Sequence, residues 1–541
     1  MDKILILDFG SQTTQLIGRR IRDLGVYTEI LPGDAALTPE ILMPDVKGIV
    51  LSGSPESVYG DGSAPDKKIY DCGLPLLGIC YGLQRITHDL GGKVEPLPKM
   101  EYGRIEVRIK EQLTKRKESG ELSSGNNEKI TLFLKGFKNS FTAWMSHGDT
   151  LTCLAPGFVE VGTSGTGYIA VAAHEEKPWF GLQFHPEVTH CEGGDEILGA
   201  FVFGVCGCGA EWNMEHYIEE LSQSLKDRAG ENPVLLLISG GVDSTVAGAV
   251  LLKTLKSEQV HLMYMDTGLM RKNETSIVRA NLEKLGAKNL HIIMCEDEFL
   301  SALKDKEEPE EKRRIIGDLF ITIQEREVAR LGLADNYFLA QGTLYTDLIE
   351  SGKGIGKKAH VIKSHHNVAS PLVDAKRKAG KIIEPLDRLY KDEVRKLGRY
   401  LGVDEEIVGR HPFPGPGLAV RILGEVTREK CAILREADAI FIEELKLRRG
   451  PSGNSLYNEI WQAFAILLPI RSVGVAGDVR KYGNVLALRA ITSADGMTAD
   501  VYPFETRDLL EISTRITNSV KEIGRVTYDI SSKPPATIEW E

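Results

Sequence analysis

At 541 residues the chain exceeds what one hydrophobic core supports, and three or four domains are expected. Its 42% apolar and 26% charged content is that of a globular protein, which excludes a disordered or fibrous chain. A net charge of −11 argues against a general nucleic-acid binder, and no apolar run nears the roughly 18 residues of a membrane span. Met1 leads straight into the strand pattern Lys3-Ile4-Leu5-Ile6-Leu7-Asp8, with no basic leader, so a cytoplasmic protein is expected. The eight cysteines are Cys72, Cys80, Cys153, Cys191, Cys206, Cys208, Cys295 and Cys431. They are too sparse for a disulfide framework and lack paired CxxC spacing for zinc. Cys206-Gly207-Cys208 reads as a tight turn between domains.

Short apolar strands alternate with helical patterns up to about residue 205. Ile4–Leu7, Gly48–Leu51, Leu74–Ile79 and Trp179–Phe184 are the strands of an α/β sheet. The polar stretch Glu111–Lys129 reads as a surface insertion. After the Gly-rich Cys206–Asn213 a second alternating block begins. Its strands are Val234–Ile238, Val260–Met265, Leu290–Met294 and Tyr337–Ala340, with helices over Thr245–Leu255 and Glu274–Leu285. His411-Pro412-Phe413-Pro414-Gly415-Pro416-Gly417 cannot continue a helix and opens the last block. That block is α+β, with a long helix at Lys430–Leu447 and strands near Val473–Val475, Val485–Arg489 and Arg525–Asp529. The expected fold is thus two doubly wound parallel-sheet α/β domains, 1–207 and 208–411, followed by a smaller α+β domain, 412–541.

Leu74-Pro75-Leu76-Leu77-Gly78-Ile79-Cys80-Tyr81-Gly82-Leu83-Gln84 is a strand entering G-x-C-x-G and then a helix. Glycines on both sides allow a sharp turn that lifts Cys80 above the sheet, and a helix N-terminus favours its thiolate. Gly181-Leu182-Gln183-Phe184-His185-Pro186-Glu187 offers a base, His185. Glu187, two residues on in an extended segment, orients it. Backbone N–H groups of Tyr81 and of the Leu51-Ser52-Gly53-Ser54-Pro55 turn suit the oxyanion. The block resembles a class I glutamine amidotransferase. The resemblance implies Cys80, His185 and Glu187 as nucleophile, base and orienter. It adds Gln84, with Ser146, His147, Gly148 and Asp149, as contacts to bound glutamine. The family's oxyanion turn is usually Gly-Gly-Pro. Ser54 stands at the second Gly, which is uncomfortable if the turn needs φ > 0 there.

Ser239-Gly240-Gly241-Val242-Asp243-Ser244-Thr245 joins the strand Val234–Ile238 to an apolar helix. Two glycines let the backbone close on an anion, and the helix N-terminus adds favourable potential. No Gly-Lys-Ser/Thr follows, so this is not the P-loop of β,γ-cleaving enzymes. Asp243 can hold Mg²⁺ bridging phosphate oxygens of ATP. The string resembles the loop of N-type ATP pyrophosphatases, which transfer AMP to a carbonyl oxygen and release pyrophosphate. An amidase that yields ammonia beside an enzyme that prepares an electrophile makes chemical sense.

Further strings identify the chain as a member of the glutamine-hydrolysing GMP synthetases. They are Ile6–Gln12, Lys312–Gly317, Ala340–Tyr345, Ile362–Asn367, Arg410–Leu418 and Tyr528–Glu541, with Thr346 where the family often has Pro. The resemblance implies that xanthosine 5′-monophosphate (XMP) is adenylated at its 2-oxygen and aminated at C2. It implies contacts to XMP from Arg313, Asp478, Lys533 and Glu539. Met265 and Phe320 flank adenine beside Ser239–Ser244, and Lys363 lies on a lid. It also implies a homodimer joined through the C-terminal domain. On chemistry, Lys533 and Arg313 suit a phosphate dianion, and Pro534-Pro535 with Ile538 and Trp540 suits a placed tail. The adjacent His365-His366 point apart and read as no metal site, while Gly352–Lys358 suits a mobile lid. A tRNA-modifying relative needs a basic surface and usually a sulfur-handling cysteine pair, neither evident. A CTP-synthase-like enzyme needs a P-loop, also absent. A metabolite sensor would have lost Cys80, His185 or Asp243.

Overall fold

The structure is a computed structural model that describes all residues except 61, 112–125, 334–335, 351–370, 477–478 and 494–497. Two compact units emerge. The first is Met1–Tyr217, and the second takes Ile218–Asp347 and the chain from Pro371 to Glu541.

The first unit is organised by one nine-stranded sheet. Its strands are β1 (Lys3–Asp8), β2 (Tyr27–Pro32), β3 (Val46–Leu51), β4 (Leu76–Ile79) and β5 (Lys93–Ile109). They continue with β6 (Ser140–Cys153), β7 (Phe158–Ser164), β8 (Ile169–His174) and β9 (Trp179–Leu182). The run β2-β1-β3-β4-β9 is parallel, as expected. Ile4, Leu5, Ile6 and Leu7 are all buried, the signature of a strand covered on both faces. Beyond β9 the sheet turns antiparallel through β8, β7, β5 and β6. This half was not foreseen as sheet. β7, β8 and β9 follow one another as antiparallel neighbours, which need no crossover helix, and β5 reaches β6 through a segment that holds the helix Asn126–Leu134. Within β6, His147 and Asp149 lie in register with Glu101 and Pro96 of β5.

The segment after residue 205 folds back on its own unit. Gly207 takes a left-handed φ of +70°, and Trp212 packs against Tyr27 with ring centroids 4.8 Å apart. Arg22 lies over both rings. Burial pushes the Cys208 thiol up to about 12, which removes it from thiolate chemistry near neutral pH.

In the second unit β10 (Val234–Ile238), β11 (Val260–Asp266), β12 (Asn289–Met294), β13 (Phe338–Ala340) and β14 (Ile382–Ile383) form a wholly parallel sheet, ordered β12-β11-β10-β13-β14. Its strand order reverses direction at β10, the place where doubly wound sheets open a crevice at their carboxyl ends. The same unit carries a second sheet of β15 (Gln462–Ala476), β16 (Val479–Thr492), β17 (Asp500–Val501) and β18 (Ile523–Tyr528). The strand expected at Val473–Val475 is the outer part of a far longer hairpin arm. The helix Arg428–Leu447 packs its Cys431, Leu434, Phe441 and Leu445 face into the core below that sheet. Thr427 caps it, its side chain accepting from Lys430 N.

His411 shows how the Pro-rich boundary is fixed. Its Nδ1 accepts from Ala463 N (3.1 Å), its Nε2 donates to Tyr457 O (2.8 Å), and its ring stacks on Tyr457 at 3.8 Å. This pattern requires the neutral ring. Burial, with Arg271 and Arg395 nearby, pushes the His411 pKa down from 6.5 to about 4. The unfolded chain therefore binds a proton that the folded one refuses, and stability falls as pH drops through that window. Urea unfolding of this unit should show a loss of about 3 kcal/mol from this group between roughly pH 7 and pH 4. A pH-independent midpoint there would contradict the assignment.

Candidate active sites

At the end of β4 the backbone of Cys80 adopts φ 52°, ψ −107°, a left-handed strain that an L-residue avoids unless its surroundings impose it. Cys80 N donates to Leu182 O (2.7 Å), and the helix Tyr81–Asp89 starts at once. Both flanking glycines are forced. A Cβ on Gly78 would meet Gly82 C at 2.6 Å, and one on Gly82 would meet Leu51 O at 2.4 Å. The helix start thus passes against β3 and β4, and the Tyr81 N–H belongs to the first turn, without an intrahelical acceptor.

His185 arrives from the segment after β9. Its Nδ1 lies 2.7 Å from Glu187 Oε1, and both side chains are buried (8% and 0% exposed). Burial by itself would lower the imidazole's pKa. The Glu187 carboxylate and the contact with Cys80 outweigh it and hold it well above its ordinary value. Arg20 Nε fixes the Glu187 carbonyl at 3.1 Å. Gly53 lies beside the imidazole, where a Cβ would stand 3.2 Å from Cε1. Ser54 has no positive φ, so serine fits the turn without the strain anticipated for it. Its Oγ accepts from Glu56 N at 3.1 Å.

The expected glutamine contacts meet at Asp149. Its carboxylate accepts from Ser57 Oγ (2.7 Å), tying the Gly53–Ser57 turn to β6. Its backbone carbonyl accepts from Gln84 Nε2 and from His147 Nδ1, each at 2.8 Å. His147 is turned inward, with Nε2 2.9 Å from Glu101 Oε2, although that approach is not aligned for a hydrogen bond. Burial opposes the Glu101 charge, but His147, Thr166 and Ser164 together hold its carboxyl below the usual range. His147 is therefore built into the wall behind the pocket. A Cβ at Gly148 would stand in ordinary contact with Met100, 3.6 Å from its Cε. Glu101 and Gln183 are functional candidates that motif reading passed over. Gln183 lies within the Gly181–Glu187 string, whereas Glu101 carries no local signal.

In the second unit, Gly240 takes φ +79° at the end of β10, and the loop closes on itself. Ser239 Oγ and Ser244 Oγ are 3.0 Å apart, and Ser239 N donates to Ser244 Oγ (3.1 Å). Arg410 binds the Gly240 carbonyl and holds Glu274 through two contacts, at 2.6 and 2.7 Å. With the carbonyl engaged, the N–H groups and hydroxyls are what the loop offers an anion. Asp243 stands in the first turn of the helix Val242–Thr254, and Lys391 Nζ lies 2.6 Å from each of its carboxylate oxygens. Lys391, Arg410 and Glu274 were not singled out, because nothing local marks a lysine 148 residues from its partner. The register Ile238↔Tyr264 sets Met265 level with Ser239 on the neighbouring strand. Met265 belongs to the buried core cluster, and Phe320 packs against that cluster, edge-to-face on Phe299.

Among the expected XMP contacts, Arg313 pairs with Glu310 on the helix Pro309–Arg330. Lys533 forms an isolated bridge with Ala499. Glu539 accepts from Arg421 at 3.0 and 2.8 Å and from Gln462 Nε2 at 2.9 Å, so its carboxylate is already engaged. Lys363 and Asp478 lie outside the described residues, as do Gly352–Lys358 and His365-His366.

Residues 5–205 match the class-I glutamine amidotransferase family, 214–341 the NAD synthase family, and 452–540 the GMP synthase C-terminal domain. The chain is 47% identical to the glutamine-hydrolyzing GMP synthase of Aquifex aeolicus over 99% of both proteins. It is 47% identical to that of Chlorobium phaeovibrioides over all of both. Against that of Caldanaerobacter subterraneus subsp. tengcongensis it is 48% identical, over 100% of this chain and 99% of the relative. The chain belongs to the glutamine-hydrolysing GMP synthase family. Cys80 and the Ser239–Ser244 loop of this GMP synthase family member fall in the amidotransferase and NAD synthase matches respectively.

Because the Gly82 contact is with backbone, it cannot relax by a side-chain rotation. Gly82→Ala should destabilise the first unit by about 1–3 kcal/mol and depress glutamine hydrolysis. Thermal unfolding and a glutaminase assay check this, and unchanged values in both would show that the helix start can shift.

Proposed function

We propose that the chain hydrolyses glutamine at Cys80 and uses the ammonia, with ATP, to convert XMP to GMP. The observation that carries this reading is a strained cysteine with a buried His185–Glu187 pair, in one chain with an anion-binding loop that carries Asp243. The Cys80 sulfur attacks the glutamine carboxamide carbon. The oxyanion is met by N–H groups of Tyr81 and the Gly53–Ser54 turn, and the imidazolium of His185 gives its proton to the departing ammonia. Water, activated by the now neutral His185, then cleaves the thioester to glutamate. Gln84, His147, Gly148 and Asp149 shape the pocket for the amino acid, His147 from behind.

At Ser239, Gly240, Gly241, Val242, Asp243 and Ser244 the triphosphate is held. The XMP 2-oxygen displaces pyrophosphate from the α-phosphorus, and ammonia then replaces AMP at C2. Mg²⁺ fits this donor set as a nucleotide-borne ion, because it binds through one or two carboxylates plus phosphate oxygens and Asp243 offers one. When bound it supplies neutralisation of phosphate charge. Among the described residues no cluster of three or more His, Cys, Asp or Glu offers a resident site. Met265, Phe320 and Lys363 complete the ATP pocket in this reading, and Arg313, Asp478, Lys533 and Glu539 the XMP pocket. Lys391 joins them as a cation for the phosphates.

The reading keeps three domains, 1–207, 208–411 and 412–541, and each family match falls inside one of them. It includes a homodimer through the last domain, supported by exposed Ile470, Val473, Val475 and Tyr482 on the β15–β16 arm. It also includes a cytoplasmic location, supported by eight free cysteines. No nucleic acid or membrane takes part in it.

Cys80→Ala should abolish glutamine-dependent GMP formation and leave ammonium-dependent synthesis largely intact. Loss of both in a folded protein would refute the division of labour. Asp243→Asn should remove synthesis with either nitrogen source, while the wild type yields AMP and pyrophosphate. Finding ADP and phosphate would overturn the assigned cleavage.

A further inference from the structure

Beside Cys80 stands a buried amide that the mechanism does not use. Gln183 is fully buried directly after β9, two residues before His185. Its Nε2 lies 3.7 Å from Cys80 Sγ, and its Oε1 lies 3.4 Å from Gln84 Nε2. Gln84 Nε2 in turn donates to the Asp149 carbonyl at 2.8 Å.

The direction of this relay follows from its far end. A backbone carbonyl can only accept. Asp149 O therefore requires the NH₂ of Gln84 to face it, and it takes an N–H from His147 Nδ1 as well. The second hydrogen of the Gln84 amide faces Gln183, which must present its oxygen there. The Gln183 amide is thus left with its N–H pointing at sulfur. The sulfur has a different partner for its other protonation state, because Ser146 O accepts from the thiol at 3.8 Å. A carbonyl serves S–H, and an amide N–H serves S⁻.

We propose that Gln183 is a further catalytic residue of the glutaminase site, an N–H donor that stabilises the Cys80 thiolate and is aimed by Gln84 and the Asp149 carbonyl. This rests on the reading of Cys80 as nucleophile. The other titratable groups around the sulfur are His185, with Glu187 behind it, and across the pocket on β6 and β5 His147 with Glu101. Gln183→Met introduces no charge among them. A charged acceptor makes the N–H contact stronger than a neutral one would be, and burial keeps water from replacing it.

The test compares full-length wild type, Gln183→Met and Gln183→Glu, using variants whose thermal unfolding matches wild type. Methionine keeps the length without the donor, and glutamate keeps the shape but faces sulfur with oxygen. Iodoacetamide is neutral and reacts with thiolate, so the alkylation rate of the Cys80 peptide, followed by mass spectrometry across the ionisation range of thiols, reads the thiolate directly. The rate–pH curve of Gln183→Met should move up by about one pH unit, about tenfold slower alkylation at neutral pH, and that of Gln183→Glu further. Ammonium-dependent synthesis should be unchanged in both. A curve that coincides with wild type overturns the proposal, even where glutamine KM rises, since that pattern marks a purely structural amide. The underlying reading fails separately, if Cys80→Ala retains glutamine-dependent synthesis.

Discussion

Both sites depend on one constraint, a helix start that passes at contact distance over the carboxyl end of a neighbouring parallel strand. In the first unit the onset of Tyr81–Asp89 lies so close to β3 and β4 that no side-chain atom fits at residues 78 and 82. That approach aims the free N–H groups of the helix at the space above Cys80 and drives the Cys80 backbone into the left-handed region. In the second unit the same geometry recurs at the start of Val242–Thr254. There Gly240 makes the turn, and a Cβ at Gly342 would stand only 3.2 Å from Asp243 C. In the proposed function one yields a nucleophile and the other an anion cradle. The difference is which side chain stands at the first position and whether a base faces it.

The carboxyl terminus of the chain is held by a separate electrostatic arrangement. Lys312, Arg421 and Arg489 are fully buried, and each finds its carboxylate late in the chain, in Glu541, Glu539 and Asp529 respectively. Arg489 also donates to the carbonyls of Ser531, Thr537 and Ile538. Buried pairs of this kind add little over an apolar core, but removing one partner costs about 3–5 kcal/mol. The tail is therefore a structural element of the second unit. A truncation from Ser532 would strand two buried cations, so it measures folding together with any contact to substrate. Single substitutions at Lys533 separate the two.

Legibility in the sequence followed the range of each interaction. Cys80 with its glycines, and His185 with Glu187, were readable because each geometry is set within a few residues, by a strand-to-helix turn for the first and a His-Pro-Glu turn after β9 for the second. The parallel strands were readable because burial on both faces leaves unbroken apolar runs. Glu101 with His147, Lys391 with Asp243 and Arg410 with Glu274 were not. Glu101 and His147 are joined by strand register, and the other two pairs by the packing of helix starts and a loop far apart in sequence, while the residues themselves are ordinary surface types in their local strings. The antiparallel half of the first sheet escaped for a related reason. β5 and β6 are long, twisted and interrupted by register shifts, which blurs the two-residue alternation.

The two sites also treat charge differently, in a way that suits what each must do. His185 and Glu187 are buried, and their pairing holds the imidazole in its charged form against a desolvation penalty that would otherwise neutralise it. Glu187 is fully buried behind the ring, so the pairing keeps the imidazole in its place while, in the proposed reaction, it changes protonation state. Asp243 and Lys391 meet at the surface, with side chains 31% and 46% exposed. A pair that open is worth at most about 1 kcal/mol, and screening by salt lowers it further. It therefore offers little resistance to an incoming triphosphate, which brings enough negative charge to draw the lysine and leaves the carboxylate free. On the proposed function, a fixed pair serves repeated proton transfer, and a weak pair serves a substrate that must bind and leave as two different anions.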